Sequence, residues 1–345
     1  MDFSKINPIT SGLMIASVIF GSALILMPSI VSNLGVVSYT MLLFWCFALF
    51  YYSEILAAHV FGEILSRQNK TDHDTDSAER RPLQYCCQIV FGKQSYMTSL
   101  FSFFQLLAIA MTATSFFLIL ASILQATFPS MPAHISSQNT TRFWIFIVFL
   151  MILPLHFIDN YKNMSYLGTL ATFVIFLGLV AALIASIVIS VSHIPIPSLE
   201  QRVFLQSKLP LKSNDVITVF FSSFGSMAFV TAGCMLALPN IAFFMSDTES
   251  LSVSVTVSKV TLFFLYLTAG VVPYALLKDY VIDTSIMVTL QRVASTSNMA
   301  TLNFLCRLNE FLTFVHFACA SVVLVNPLHL VMETVFKVPN SKLTI

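Results

Sequence analysis

The sequence predicts an all-α integral membrane protein, and three observations carry that prediction. Of the 345 residues, 57% are hydrophobic and 10% charged, against about 25% charged in a soluble domain. Mean hydropathy is +0.85, more apolar surface than one water-soluble globule can bury, so the natural solvent is a bilayer. The apolar residues also gather into eight stretches, at about 10–32, 36–65, 96–126, 142–158, 164–191, 216–245, 256–277 and 309–335, most of them near the roughly 20 residues that a spanning helix needs.

Taken in order, the stretches define a single polytopic domain over 1–345. Residues 1–9 run straight into the first apolar stretch, so they are expected to lead into a span rather than to form a cleavable leader. The second stretch holds Glu54 in FYYSEILAAH. A carboxylate at membrane depth is costly and therefore a functional candidate. Proton relay from Glu54 to His59 is the sharp expectation, and packing of Glu54 against a partner helix is the plain one. The loop at 66–94 is a mixed charge run, SRQNKTDHDTDSAERR, followed by PLQYCCQIVFGK, which predicts a short interfacial helix. In the third stretch Phe103 and Phe104 are placed to cap a substrate or simply to face lipid. The fourth stretch is short, and the fifth, LGTLATFVIFLGLVAALIASIVIS, is the cleanest. A Pro-rich loop at 193–215 separates it from the sixth. His156 and His316 are intramembrane histidines, expected to be hydrogen-bonded packing residues. Asn326, followed by Pro327, either lines a pathway or marks a kink.

Net charge is +1, which gives no reason to expect nucleic acid. The six cysteines fit neither a zinc site nor a disulfide framework, and are expected to be small apolar packers, with palmitoylation of Cys86 or Cys87 as the alternative. No Ser/His/Asp constellation, P-loop or metal-ligand cluster is present. The expectation is therefore neither an enzyme nor a metalloprotein, and no cofactor.

Orientation follows Lys and Arg. With the N-terminus in the cytoplasm, that side holds ten of the 17: Lys5, Arg67, Lys70, Arg80, Arg81, Lys93, Lys162, Lys259, Lys337 and Lys342. The sequon at Asn139 then faces outward, where it can be glycosylated, while 66–94 is cytoplasmic and 193–215 extracellular or lumenal.

Two stretches share a pattern. GSALILMPSI at 21–30 and GCMLALPNI at 233–241 each carry a Gly and a Pro around one apolar run. They sit in the first and sixth stretches. Five spans separate equivalent positions, and an odd number makes the second unit enter from the opposite side of the membrane. That is the signature of an inverted repeat, with 10–191 as the first five-helix unit and 216–335 as a partial second unit of three. If both helices break at these points, the freed N–H and C=O groups need a cavity or a polar guest. A zwitterion satisfies both. The candidate substrate-binding residues are accordingly Phe20, Gly21, Ser22, Ala23 and Leu24, with Phe229, Thr231, Ala232 and Gly233. Glu54, Tyr52 and Asn326 are candidates for coupling or pathway roles. The plain alternative is two ordinary spans with a Pro kink each.

Four stretches in order resemble one family. IFGSALILMPSIVSNLG looks like its first span, PLHFIDNYKNMSYLG its fourth-to-fifth junction, FGSMAFVTAGCMLALPNIAFFM its sixth span, and VSKVTLFFLYLTAGVVPYALLKDYVIDTSIMVTL its seventh span with the following loop. On these residues the chain resembles the amino acid/auxin permease family, and within it the proton-assisted amino acid transporter branch. The resemblance implies a LeuT-like inverted-repeat fold and amino acid transport. It also implies three further spans beyond the eighth, so the fold here is expected to be incomplete. Ala23 stands where the family has a second glycine. Tyr52 stands where the branch has an embedded His, and Ala232 where it has an acidic residue, so the resemblance does not carry over a proton-coupling mechanism.

The functional expectation is a secondary transporter binding an amino acid near the bilayer midplane, with possible coupling to H+ or Na+, in the plasma membrane or a lysosomal or vesicular membrane. The alternative is a shortened, non-transporting relative that senses an amino acid or binds partners.

Overall fold

A computed structural model describes residues 7–68, 82–92, 96–128, 137–157, 161–192, 213–232, 238, 241–242, 245, 248–277, 286–297 and 299–335. Among these, every regular element is helical. In chain order they are α1 (Pro8–Leu34), α2 (Val36–Gln68), α3 (Pro82–Phe91), α4 (Tyr96–Thr127), α5 (Ser137–Ile152) with a 3-10 turn (Leu153–Phe157), α6 (Tyr161–Val191), α7 (Ser213–Ala232), α8 (Thr248–Leu277), α9 (Ile286–Ser297) and α10 (Ala300–Val335). Five of the described helices are long and apolar enough to cross a bilayer: α2, α4, α6, α8 and α10. Shorter apolar stretches at Pro8–Val18, Thr140–His156 and Ile217–Ala232 occupy the positions of the first, fourth and sixth expected spans.

Local chemistry sets the helix ends. Asn7 caps α1, its side chain accepting from the Ile9 N–H at 2.8 Å, and Pro8 follows at the first helical position. Gly35 ends α1 with φ of +76°, a conformation Gly adopts without steric cost, and its N–H returns to the Val31 carbonyl at 2.8 Å. Val36 then opens α2 at once. The interfacial helix expected from PLQYCCQIVFGK is α3, with Cys86 and Cys87 buried.

The core is built around α1, which packs most extensively on α8 and α6, with α10 lying along α6 and α2 along α8. Close approach is possible because small residues sit at the crossings. A Cβ on Gly12 would lie 2.7 Å from the Ser254 carbonyl oxygen of α8, and one on Gly168 would lie 2.6 Å from Met14 of α1. Hydrogen bonds tie the same crossings. Ser254 Oγ donates to the Pro8 carbonyl at 2.9 Å, Thr172 Oγ1 to the Leu13 carbonyl at 2.8 Å, and Tyr39 Oη to the Tyr266 carbonyl at 2.7 Å.

Three expectations are corrected here. The first span is not broken: α1 runs as one helix through Gly21 and Pro28. Pro28 removes a single i→i−4 bond, and packing by neighbours on several sides outweighs the roughly 1 kcal/mol that Gly costs in a helix interior. The loop after the seventh stretch contains a further helix, α9, whose Ile286, Met287, Leu290, Val293 and Ala294 are buried in a second apolar cluster with α6 and α10. Lys259, counted above as a cytoplasmic charge, is buried within α8. The structure describes neither 69–81 in the expected cytoplasmic loop nor 193–212 in the expected external one.

Candidate functional site

The candidate site lies where α2, α7 and α8 meet beside α1. From α2, Glu54 contributes a carboxylate that is 0% exposed. From α8, Lys259, 3% exposed, brings its Nζ to 2.8 Å from Glu54 Oε1. The same ammonium donates to the Thr231 carbonyl at 2.5 Å and lies 5.7 Å from the Phe47 ring centroid, a cation–π distance.

Carbonyl chemistry explains why that group takes an outside donor. Thr231 and Val230 lie in the last described turn of α7, and a carbonyl oxygen has two lone pairs, so each can accept from a neighbouring side chain whatever its own helix supplies. Side chains of α8 supply donors: Lys259 reaches Thr231, and Tyr266 Oη donates to the Val230 carbonyl at 3.4 Å. Thr231 turns its own hydroxyl back to the Met227 carbonyl at 2.8 Å. Lys259 is thus favoured by a formal charge on one side and a backbone carbonyl on the other.

Aromatic rings close the junction toward α1. Phe20 stacks on Tyr266 with centroids 6.0 Å apart, and Phe47 meets Tyr266 and Phe263 edge-on at 5.7 and 5.5 Å. The hydrogen bond from Tyr39 fixes the backbone at Tyr266.

A second polar group lies on the other side of α1. His316 of α10 is fully buried, with Nδ1 2.9 Å from the Ala171 carbonyl of α6. Because a carbonyl only accepts, Nδ1 carries the proton of that bond. Nε2 makes no hydrogen bond among the described residues and faces Gly21, where a Cβ would lie 2.5 Å from it and 2.8 Å from Phe317 Cζ. One and two turns earlier on α10, Thr313 and Asn309 are also buried, with Thr313 Oγ1 and Asn309 Oδ1 likewise without a hydrogen-bond partner among the described residues.

The residues expected from sequence fall into distinct groups. Phe20, Thr231 and Glu54 come together at the junction. Ala232 is half-buried at the end of α7. Gly21 is buried, but the space beyond it is taken by His316 and Phe317. Ser22, Ala23 and Leu24 continue α1 as helix, and Gly233 lies outside the described residues. Phe229 is 54% exposed and Tyr52 is 72% exposed, so both side chains point away from the junction. His59 is exposed while Glu54 is enclosed; five residues along a helix rotate a side chain by roughly 140°, and the expected relay between them has no geometry. Phe103 and Phe104 are exposed and pack edge-on with each other. Asn326 is buried, and its Oδ1 makes no hydrogen bond among the described residues. Asn139 lies in the first turn of α5.

Lys259 is the residue that sequence reasoning missed. Its signal was present: a lone Lys in SVTVSKVTLFFLYL breaks an apolar run as Glu54 does, and the same depth argument applies to it.

The family model that describes the transmembrane amino acid transporter protein matches residues 4–341, nearly the whole chain. The chain belongs to the transmembrane amino acid transporter family. No curated protein matches it. Membership in that family, together with apolar helices long enough to span, makes the chain a multi-pass membrane protein of amino acid transport.

Proposed function

We propose that the chain is a secondary transporter whose amino acid substrate binds near the bilayer midplane, between the middle of α1 and the end of α7. The observation that carries this reading is that the buried Val230 and Thr231 carbonyls of α7 are drawn to polar side chains of α8. Backbone carbonyls turned to polar partners in an apolar interior mark a polar site there, and the ammonium of an amino acid is a cation such carbonyls can take. Phe20, Thr231 and Ala232 belong to the site in this reading, with the backbone of Ser22, Ala23 and Leu24 on the facing side of α1 and Gly233 just past the end of α7. The inverted repeat is part of the same proposal, and alternating access follows from rocking one bundle of helices against the other around a fixed site.

Transport is coupled to H+ or Na+ in this reading, with the N-terminus in the cytoplasm and Asn139 on the extracellular or lumenal side of the plasma membrane or of a lysosomal or vesicular membrane. The test is uptake of labelled amino acids by proteoliposomes containing the full chain, with pH and sodium gradients imposed separately. Saturable accumulation driven by one of the gradients is expected. Folded protein that accumulates no amino acid above empty liposomes would overturn the proposal.

A further inference from the structure

The Glu54–Lys259 pair does more than join two helices. Three groups converge on Lys259 Nζ from two other helices: the Glu54 carboxylate of α2 at 2.8 Å and the face of the Phe47 ring, also of α2, at 5.7 Å, and the Thr231 carbonyl of α7 at 2.5 Å. A buried carboxylate with a backbone carbonyl is an oxygen donor set of the kind that hard monovalent cations take. Both oxygens are enclosed, since Glu54 is 0% and Thr231 0% exposed. With no cation present a formal negative charge would face the negative end of a carbonyl dipole.

We propose that Glu54, the Thr231 carbonyl and Phe47 form a monovalent cation site that the chain fills with its own Lys259 ammonium, so that no dissolved ion is needed to hold α2, α7 and α8 together. The tether is the physical advantage. A cation held on α8 is present at a very high effective concentration, whereas a dissolved sodium ion must be stripped of water and drawn from solution at each visit. The consequence is specific. Shortening the side chain uncovers a site whose occupant is defined by charge and size, and sodium or a small primary ammonium should enter it. The inference concerns how the junction is held, and it stands or falls independently of flux.

The experiment is thermal unfolding of the full chain in detergent, in sodium chloride, n-propylammonium chloride or N-methylglucamine chloride at equal ionic strength. n-Propylammonium replaces the atoms that Lys259→Ala removes, and N-methylglucamine is too large for the space. For the wild type the three midpoints should coincide. For Lys259→Ala, sodium or n-propylammonium should raise the midpoint over N-methylglucamine by roughly 3 °C or more at saturating salt. The double variant Glu54→Gln with Lys259→Ala should lose that rise. A Lys259→Ala protein that behaves identically in all three salts would overturn the proposal. So would one that cannot be recovered folded in any of them, a double variant that keeps the full rise, or a wild type that shows the same rise.

Discussion

Glu54 of α2 and Lys259 of α8 form an enclosed ion pair, with Nζ 2.8 Å from Oε1, and the same ammonium closes the end of α7 through the Thr231 carbonyl. One side chain thus satisfies a formal charge and a buried backbone carbonyl at once. The pair ties three helices together beside the stack of Phe20 of α1 on Tyr266 of α8.

Breaking the pair from one side should cost more than removing it. Lys259→Met leaves a buried carboxylate without its counter-charge, and losses of about 3–5 kcal/mol follow when one partner of a buried pair is deleted. Adding Glu54→Gln to Lys259→Met removes the uncompensated charge and should recover much of that loss. A double-mutant cycle on unfolding of the detergent-solubilised chain reads the coupling directly. Additive single effects would show that the two residues do not act on each other.

Gly21 should behave as a packing position. A Cβ there would lie 2.5 Å from His316 Nε2 and 2.8 Å from Phe317 Cζ, so Gly21→Ala should destabilise by about 1–3 kcal/mol, as overpacking generally does. His316→Ala opens the space, and the penalty of Gly21→Ala should shrink in that background. The same unfolding assay measures both, and an unchanged penalty would show that His316 is not the obstacle.

The α2–α8 crossing offers a similar cycle at a different place. Tyr39→Phe deletes the hydrogen bond to the Tyr266 carbonyl and should cost about 0.5–1.5 kcal/mol. A Cβ on Gly270 would lie 2.6 Å from Tyr39 Oη. Gly270→Ala should therefore be less damaging once that hydroxyl is gone, and an equal loss in both backgrounds would contradict this account of the crossing.

Cys86 and Cys87 in α3 should be poor nucleophiles in the folded chain. Burial, then the neighbouring Cys87 thiol, pushes the Cys86 thiol up to about 12, only partly offset by a backbone hydrogen bond, and burial also raises Cys87. Maleimide labelling of both should be slow at pH 8 and become fast in denaturant. The sign of the stability effect follows from the raised value. Above the ordinary thiol range the native state holds a proton that the unfolded state has lost, so the Cys86 contribution falls as pH rises from about 9 toward 12. Replacing Cys86 with Ser should flatten that fall in a pH series of unfolding midpoints.

The membrane-crossing helices were legible because long apolar runs have few other outcomes, and α3 was legible from its short apolar run beside a charge run. The uninterrupted course of α1 was not. GSALILMPSI contains the residues of a broken helix, but its Gly is used for close approach to α10 and its Pro costs a single hydrogen bond. Only the neighbours decide between those uses. α9 escaped because it is 12 residues long, and Gln291 and Arg292, which lie off its buried face, break its apolar run in sequence. At the site, Glu54 stood out as a charge at depth. Its partner did not, because Lys259 was assigned to a membrane surface by counting rather than by position in its helix. That Glu54 and Lys259 meet is a property of the α2–α8 packing, which no local pattern encodes.

The central claim, that an amino acid binds against the end of α7, is tested most directly by substrate protection at Ala232. A cysteine placed there in a chain that also carries Cys234→Ser would be reacted with a cationic methanethiosulfonate reagent in proteoliposomes, with each of the common amino acids added in turn. The other described cysteines are buried, so the introduced thiol should dominate the reaction. The account predicts that any amino acid the liposomes accumulate slows modification several-fold, in proportion to its occupancy. A modification rate unchanged by every accumulated amino acid would contradict it.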